Sequence, residues 1–240
     1  MTEKRKDICD ICGQSLDYAT QLEKRKDLTC YFCGQVYSTN IFCPNDHYIC
    51  DACHTSEPIK ILTQFCHTTA LKDPFTIADQ IMKHPKFKLY GPEHHVLTPA
   101  AILTALKNTG IKKPNGKPIK VSDIDEAIRR ASKIPGGWCG FYGSCGAGMG
   151  SGVAISVFTE ATPSTDKERT LANQMTARSL NKIADNLEHC CKRSVKLSIC
   201  ETLEFLRERF NLELKYSPKQ CEFSKVNPKC VKTKCPMYLN

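Results

Sequence analysis

Cysteine spacing constrains this chain more than any other feature. Three Cys-x2-Cys pairs, Cys9/Cys12, Cys30/Cys33 and Cys50/Cys53, crowd residues 9 to 53, with Cys43 and His47 between the second and third. Two thiolates two residues apart can grip one ion, and the glycine after each of the first two pairs, Gly13 and Gly34, permits the tight turn this requires. Two such knuckles with 17 residues between them fit a zinc ribbon. Cys9, Cys12, Cys30, Cys33, Cys43, His47, Cys50 and Cys53 are therefore the expected ligands of one or two zinc ions. Sequential filling puts Cys9, Cys12, Cys30 and Cys33 on one ion; a cross-braced arrangement exchanges the pairs, and the spacing fits both. The block is short of periodic apolar runs, so the metal stands in for a core. A structural staple is the expected role, with recognition of RNA or protein as the alternative. His54, Cys66 and His67 read as ordinary residues beside the site.

Sixteen cysteines in 240 residues would signal disulfides in an exported chain. Met1 to Asp7 is charged and holds no apolar stretch, so the expected location is the cytoplasm, where thiols stay reduced and metal ligation is their main use. No run of eighteen apolar residues predicts a membrane span. The net charge of +9, with His neutral, is dispersed over segments such as Lys4-Arg5-Lys6, Lys24-Arg25-Lys26 and Lys112-Lys113. Dispersed charge reads as a solvated surface, so nucleic acid is a possible but not a favoured partner.

Composition shifts at Pro58. Residues 1–57 form the cysteine-rich module, and 58–240 a mainly helical domain with a Gly/Cys loop and a cysteine-rich tail. The fold class is thus mainly α, preceded by a small zinc-ribbon or treble-clef-like module. Asp73-Pro74 is a helix start, with Asp as cap and Pro at the first helical position, and Thr98-Pro99 repeats that device. Ser122 opens a helix burying Ile124, Ala127, Ile128 and Ala131. Thr165 with Glu168 reads as a capping box before a long helix, and Val195, Ile199, Leu203, Leu206 and Phe210 line another. Cys200 falls on that helix's apolar face as a core thiol.

Eight of the thirteen glycines lie between Gly136 and Gly152, together with Cys139, Cys145 and the only Trp. This reads as a loop whose backbone wraps a ligand, with an apolar helix following at Val153. Close helix packing through small residues is the bland alternative. Cys139 and Cys145, joined by Cys190 or Cys191, are the expected ligands of a 4Fe-4S cluster. Lys192 and Arg193 would hold an anionic substrate beside it. Cys221, Cys230 and Cys235-Pro236 form a further metal-ligand set, for an iron–sulfur cluster or a third structural zinc. Glu93, His94 and His95, before the Thr98-Pro99 signal, are the candidate catalytic group, the imidazoles as general base or acid and the carboxylate orienting one of them.

As a set, several segments resemble an uncharacterised family of cysteine-rich proteins from methanogens and other anaerobes. They are Cys43-Pro44 through His47-Tyr48, Cys50-Asp51-x-Cys53-His54, Gly91-Pro92-Glu93-His94-His95, the Gly136–Gly152 run, Ala161-Thr162-Pro163, Cys190-Cys191-Lys192-Arg193 and the Cys-Pro tail. In some members the domain looks fused to a methyltransferase, which implies a possible methyltransferase partner. The Gly/Cys run and the Cys190 region are more loosely similar to iron–sulfur serine dehydratases and cysteine desulfidases, helical enzymes whose cluster has an open iron. The expected function is a metal-dependent enzyme of anaerobic metabolism, with structural zinc and a 4Fe-4S centre. It would act on a small substrate by elimination or by sulfur or one-carbon transfer, as a lyase or a transfer-related enzyme. The alternative is a non-enzymatic zinc protein that binds RNA or a protein partner through Lys26, Tyr31, Phe32, Tyr37 and Tyr48.

Overall fold

The structure is a computed structural model that describes residues 9, 11–19, 25–50, 53, 57–217 and 221–238. The chain is mainly α-helical, with a small N-terminal module of short strands. Among its described residues that module holds two antiparallel ribbons. In one, β1 (Asp17–Tyr18) pairs with β4 (Ile41–Phe42); in the other, β2 (Lys26–Thr29) pairs with β3 (Val36–Thr39), Leu28 opposite Tyr37.

Among the described residues eight helices follow: α1 (Pro58–Thr68), α2 (Pro74–Met82), α3 (Glu93–Thr109), α4 (Val121–Ala131), the single turn α5 (Trp138–Phe141), α6 (Gly146–Phe158), α7 (Asp166–Ile183) and α8 (Cys191–Phe210). The tail carries two 3-10 turns, Glu222–Lys225 and Lys232–Lys234. Helix α2 starts as its sequence dictates: Asp73 Oδ1 accepts from the backbone N–H of Phe75 at 2.9 Å, with Pro74 in the first turn. Helix α4 buries Ile124, Ala127, Ile128 and Ala131, the expected face. It begins one residue early, where Asp123 Oδ2 accepts from the Lys120 N–H at 2.7 Å.

Helix α3 is the hub. It is apolar nearly all round, and α1, α2, α4, α6 and α8 pack on it. It begins at Glu93, so Thr98-Pro99 is not a helix start: Pro99 lies inside the helix and both residues are buried. A proline there leaves the His95 carbonyl without its helical donor. Packing from α6 covers that point. A Cβ on Gly150 would lie 2.6 Å from the His95 oxygen and 2.9 Å from Pro99 Cδ.

The expected loop between Gly136 and Gly152 is therefore only half a loop. Gly146, Gly148, Gly150 and Gly152 lie within α6, which starts seven residues before Val153. Gly146 and Gly150 face α3, while Gly148 and Gly152 meet Leu180 and Thr176 on α7. For these four the small-residue packing reading holds, and only the first half of the run wraps a cavity. We expect Gly150→Ala to overpack the α3–α6 contact at about 1–3 kcal/mol. Gly140→Ala, which meets open space, should be neutral. Calorimetric melting of both variants checks this, and equal melting temperatures would refute the packing account.

The capping box at Thr165 does not form. Its hydroxyl instead accepts from the Thr162 N–H at 2.8 Å and donates to the Thr162 carbonyl, although α7 does begin at Asp166. The module also merges with the helices at one side. Phe32 is fully buried, 4.4 Å from the His84 ring centroid and 6.2 Å from that of Phe65 on α1.

Candidate metal centres

The two glycine knuckles fold identically. Cys9 and Cys30 each accept from a glycine N–H, of Gly13 at 2.8 Å and Gly34 at 3.0 Å, and both glycines have φ above +65°. The Cys9 and Cys30 N–H groups in turn reach the carbonyls of Gln14 and Gln35. This local repeat aims two thiols from each knuckle to one side.

Long-range folding then decides the pairing. Cys9, Cys12, Cys43 and His47 converge, and so do Cys30, Cys33, Cys50 and Cys53, with the donor atoms of each group within 4.8 Å of one another. The arrangement is cross-braced: the first pair closes with the third and the second with the fourth. A tetrahedral ion with metal–sulfur bonds of about 2.3 Å holds its sulfurs about 3.8 Å apart. Cys12 and Cys43 sulfurs are 3.5 Å apart, Cys33 and Cys50 are 3.8 Å apart, and His47 Nδ1 lies 3.7 Å from Cys43. Backbone N–H groups support the sulfurs, Asn45 on Cys43 and Cys50 on Cys30, each at 3.4 Å. Burial opposes ionisation at Cys12, but its contacts with the Gln14 N–H, His47, Cys43 and Asn45 bring the thiol down to about 6. Both donor sets suit a thiophilic ion.

His54 lies outside the described residues. Cys66 is fully buried on α1, its thiol pushed up to about 12 by that burial, and His67 Nε2 sits 2.6 Å from Asp125 Oδ1, so neither joins a thiol group.

A cavity of about 300 Å³ opens in the second half of the chain. Its lining includes Cys139, Cys145, Cys191, His94, His95 and His189. Four elements supply five of them, and His189 lies on the segment before Cys191. Cys139 rides on α5, Cys145 caps α6, Cys191 is the first residue of α8, and the first two histidines start α3. Burial pushes the Cys191 thiol up to about 11, opposed by the Gly91 N–H and reinforced by Cys145, Cys190 and Cys139 nearby. The three thiols are not among the groups converged within 4.8 Å.

The imidazoles are oriented by backbone. His94 Nδ1 is 3.0 Å from the Gly91 carbonyl and His95 Nδ1 is 3.1 Å from the Ile134 carbonyl. A carbonyl only accepts, so each Nδ1 carries the proton and each Nε2 keeps its lone pair, the tautomer of a metal ligand or a base. His95 is half-buried, its ring pressed against Gly146, where a Cβ would collide with it. His94 is fully buried against Phe87 and its Nε2 has no hydrogen-bond partner. Glu93 is largely buried, which pushes its carboxyl up. His189 escaped the sequence reading, although it abuts Cys190-Cys191. It stacks on Tyr90 at 5.4 Å with Nε2 3.6 Å from the Cys191 sulfur.

Burial, and then the charge of Lys192, hold His94 down to about 3, whereas an unfolded histidine titrates near 6.5. The unfolded chain therefore binds more protons across that window. The stability this contributes is present above pH 6.5 and lost as pH falls toward 3, at up to about 1.4 kcal/mol per pH unit. We expect His94→Gln to show a shallower loss than the parent between pH 7 and 5.5 in urea titrations. Equal slopes would refute the assignment.

Lys192 and Arg193 are placed differently from the sequence expectation. Both are buried. Lys192 Nζ donates to the Lys88 carbonyl at 2.9 Å and lies over Phe223 and Phe87, outside the lining of the 300 Å³ cavity. Arg193 pairs with Asp185 at 2.9 Å and donates to the Glu188 carbonyl. Cys200 is half-buried on α8, and burial raises its thiol. Cys190 turns away from Cys191 and lines a separate cavity with Cys221, Cys230 and Cys235.

These features define a mainly helical protein with two cysteine-rich groups able to hold metal ions and further thiols gathered at cavities. Residues 62–238 match the model of a family of unknown function, DUF5714, and the chain belongs to that family. The 300 Å³ cavity and the tail thiols fall inside the matched span; the two converged groups precede it. No curated protein and no solved structure matches the chain. Among the described residues no helix is long and apolar enough to cross a membrane.

Proposed function

We propose that the protein is a metal-dependent enzyme whose reaction centre is the cavity at Cys139, Cys145 and Cys191, with structural zinc in its N-terminal module. The observation that carries this reading is the meeting of three thiols and three imidazoles around about 300 Å³ of space. A staple has no need of such room. The thiols are spread wider than those of the two converged groups, which suits a polynuclear centre better than one tetrahedral ion. A 4Fe-4S cluster held by three thiolates keeps one iron open and supplies a Lewis acid for a hydroxyl, carboxylate or thiol of a small substrate.

The protein's own groups do the rest. His95, held by the Ile134 carbonyl, presents Nε2 to take or return a proton. His189, stacked on Tyr90 beside Cys191, is a second proton carrier, on the segment that leads into α8. His94 is too deeply buried to exchange protons readily and is better suited to fixing the first turn of α3 through Gly91. Glu93 Oε1 stands 3.6 Å from His94 Nδ1 without a hydrogen bond to it. The reaction class that fits is elimination or sulfur or one-carbon transfer. Binding of RNA or protein through the module is less well supported. Phe32 is fully buried, Tyr31 packs on it and Phe65, and Lys26 pairs with Asp46 at 3.1 Å, so few stacking surfaces remain.

Anaerobic isolation tests the reading. Broad visible absorption, acid-labile sulfide and iron should be present in the parent and reduced in Cys139→Ser and Cys145→Ser. His95→Gln should keep the absorption while losing any activity found. Parent and thiol variants with the same colour and the same iron would remove the centre from this cavity.

A further inference from the structure

Four of the remaining thiols share one place. Cys190, Cys221, Cys230 and Cys235 line a single small cavity between the start of α8 and the tail. All four are half-buried and none is in a disulfide. We propose that these four thiolates hold a further metal centre that ties the tail to the helical domain. It would take a thiophilic metal, and because the four sulfurs, like those of Cys139, Cys145 and Cys191, are not among the groups converged within 4.8 Å, an iron–sulfur cluster suits their spread better than one zinc ion. The inference uses none of the ligands assigned to the enzymatic centre, and it stands if that reading fails.

The backbone turns the two neighbouring cysteines apart. Cys190 is the cap of α8, extended at φ −150°, and Cys191 is its first helical residue. One side chain consequently faces the tail and the other the 300 Å³ cavity. The pair serves two sites rather than offering alternatives for one.

N–H groups point at the tail sulfurs as they do in the N-terminal module. Lys232 N–H meets Cys230 at 3.4 Å, the distance seen for Asn45 on Cys43 and Cys50 on Cys30. Burial raises the Cys221 thiol, and the charge of Lys196 and then the Phe223 N–H oppose that rise. Asn227 is buried, and its Nδ2 donates to Cys190 at 3.6 Å while its Oδ1 accepts from Tyr90 at 2.8 Å. Tyr90 lines the other cavity, so one side chain links the supports of both. Donors of this kind stabilise thiolate ligands and tune the metal they hold.

Charge agrees. Buried Arg193 and Lys196 line the cavity, and the positive end of the twenty-residue α8 lies at Cys190. Arg193 is paired with Asp185 and Lys196 with Asp79, so the helix end is the unanswered positive end facing the net negative charge that four thiolates on a divalent ion or a cluster would leave.

The tail needs a staple. Residues 221–238 hold two 3-10 turns and no longer element, and Phe223 is their one buried hydrophobic side chain. That much apolar surface holds a segment weakly, and a metal supplies what a core does not, as in the N-terminal module. With this centre every cysteine but Cys66 and Cys200 belongs to a thiol group.

The test is a metal inventory on the full chain, produced and purified without oxygen. Cys221→Ser/Cys235→Ser should lose one zinc per chain, or about four irons with about four sulfides. The N-terminal ions and the complement lost in Cys139→Ser should be untouched. Zinc loss identifies a mononuclear ion, and joint loss of iron and sulfide identifies a cluster. An unchanged inventory overturns the proposal. So does loss of the same complement in Cys139→Ser, because the two groups would then be one centre. Alkylation of the unmutated chain decides the matter if the double variant does not fold. Cys190, Cys221, Cys230 and Cys235 should resist iodoacetamide together and react together once a chelator has stripped the metal. Immediate labelling of the tail thiols, or a disulfide among them in the anaerobic protein, overturns it.

Discussion

Cys30→Ser should release one metal ion and open one wall of the helical domain, whereas Cys12→Ser should release a different ion and loosen only the outer part of the module. The difference follows from position. Cys30, Cys50 and Cys53 are almost completely buried, and Phe32, two residues from Cys30, fills the space between Phe65 and His84. Cys12 is exposed, and its group closes on the far ribbon through Cys43 and His47. Structural zinc contributes about 10–16 kcal/mol to folding of small zinc modules, and withdrawing a buried Phe from a core costs about 3–5 kcal/mol more. Loss of the inner ion therefore spreads into α1, and loss of the outer one does not. Metal analysis, calorimetry and limited proteolysis check the pair. The cross-brace has its own signature: Cys12→Ser and Cys43→Ser should each remove the same ion, and the double variant should remove no more. Sequential filling would make Cys12 and Cys33 the pair that behaves this way.

The knuckles were legible because their chemistry is local: two cysteines and a glycine within five residues dictate the turn and its N–H···O pattern. Which knuckles share an ion was not legible, since residues 31 apart meet only after both ribbons form. Helices with a clean apolar period, such as α4 and α8, stood out for the same local reason. Helix α6 did not. Four glycines in its first seven residues oppose helix formation intrinsically, yet they admit α3 and α7 to backbone contact, and packing outweighs propensity. Pro99 misled in the opposite sense, reading as a start where α6 covers the carbonyl it orphans. Lys192 and Arg193 read as substrate holders because a sequence shows a charge but not its partner. The Lys88 carbonyl lies 104 positions from Lys192, and Asp185 closes on Arg193 only across the turn into α8. The candidate cavity was half legible: Cys139, Cys145 and the His94-His95 pair were named, but His189 was not, and the division of labour between Cys190 and Cys191 needed the cap geometry.

Asp79→Ala should be among the most damaging single changes in the helical domain. Asp79 lies on the buried face of α2, and Lys196 lies on α8. Lys196 Nζ donates to Asp79 Oδ2 at 3.0 Å and stands 2.9 Å from Oδ1, and both residues are more than nine-tenths buried. Burial raises the Asp79 carboxyl and Lys196 opposes that rise, so the pair holds its charges only because each answers the other. Truncating one partner strands the other in a low-dielectric interior, at about 3–5 kcal/mol. For a chain of this size that lowers the melting temperature by about 6–20 °C. Replacing both members with apolar residues of similar volume, as in Asp79→Leu/Lys196→Met, removes the stranded charge and should recover most of the loss. The comparison separates the charge effect from a packing defect, since a defect would persist in the double variant. Urea titration of the two singles and the double gives the coupling, and single variants within about 1 kcal/mol of the parent would show that the pair is solvated. Lys196 also lines the tail cavity, so the stranded ammonium of Asp79→Ala would move toward Cys221. The tail should then become protease-sensitive in Asp79→Ala, and less so in the double variant, where no charge seeks a new partner.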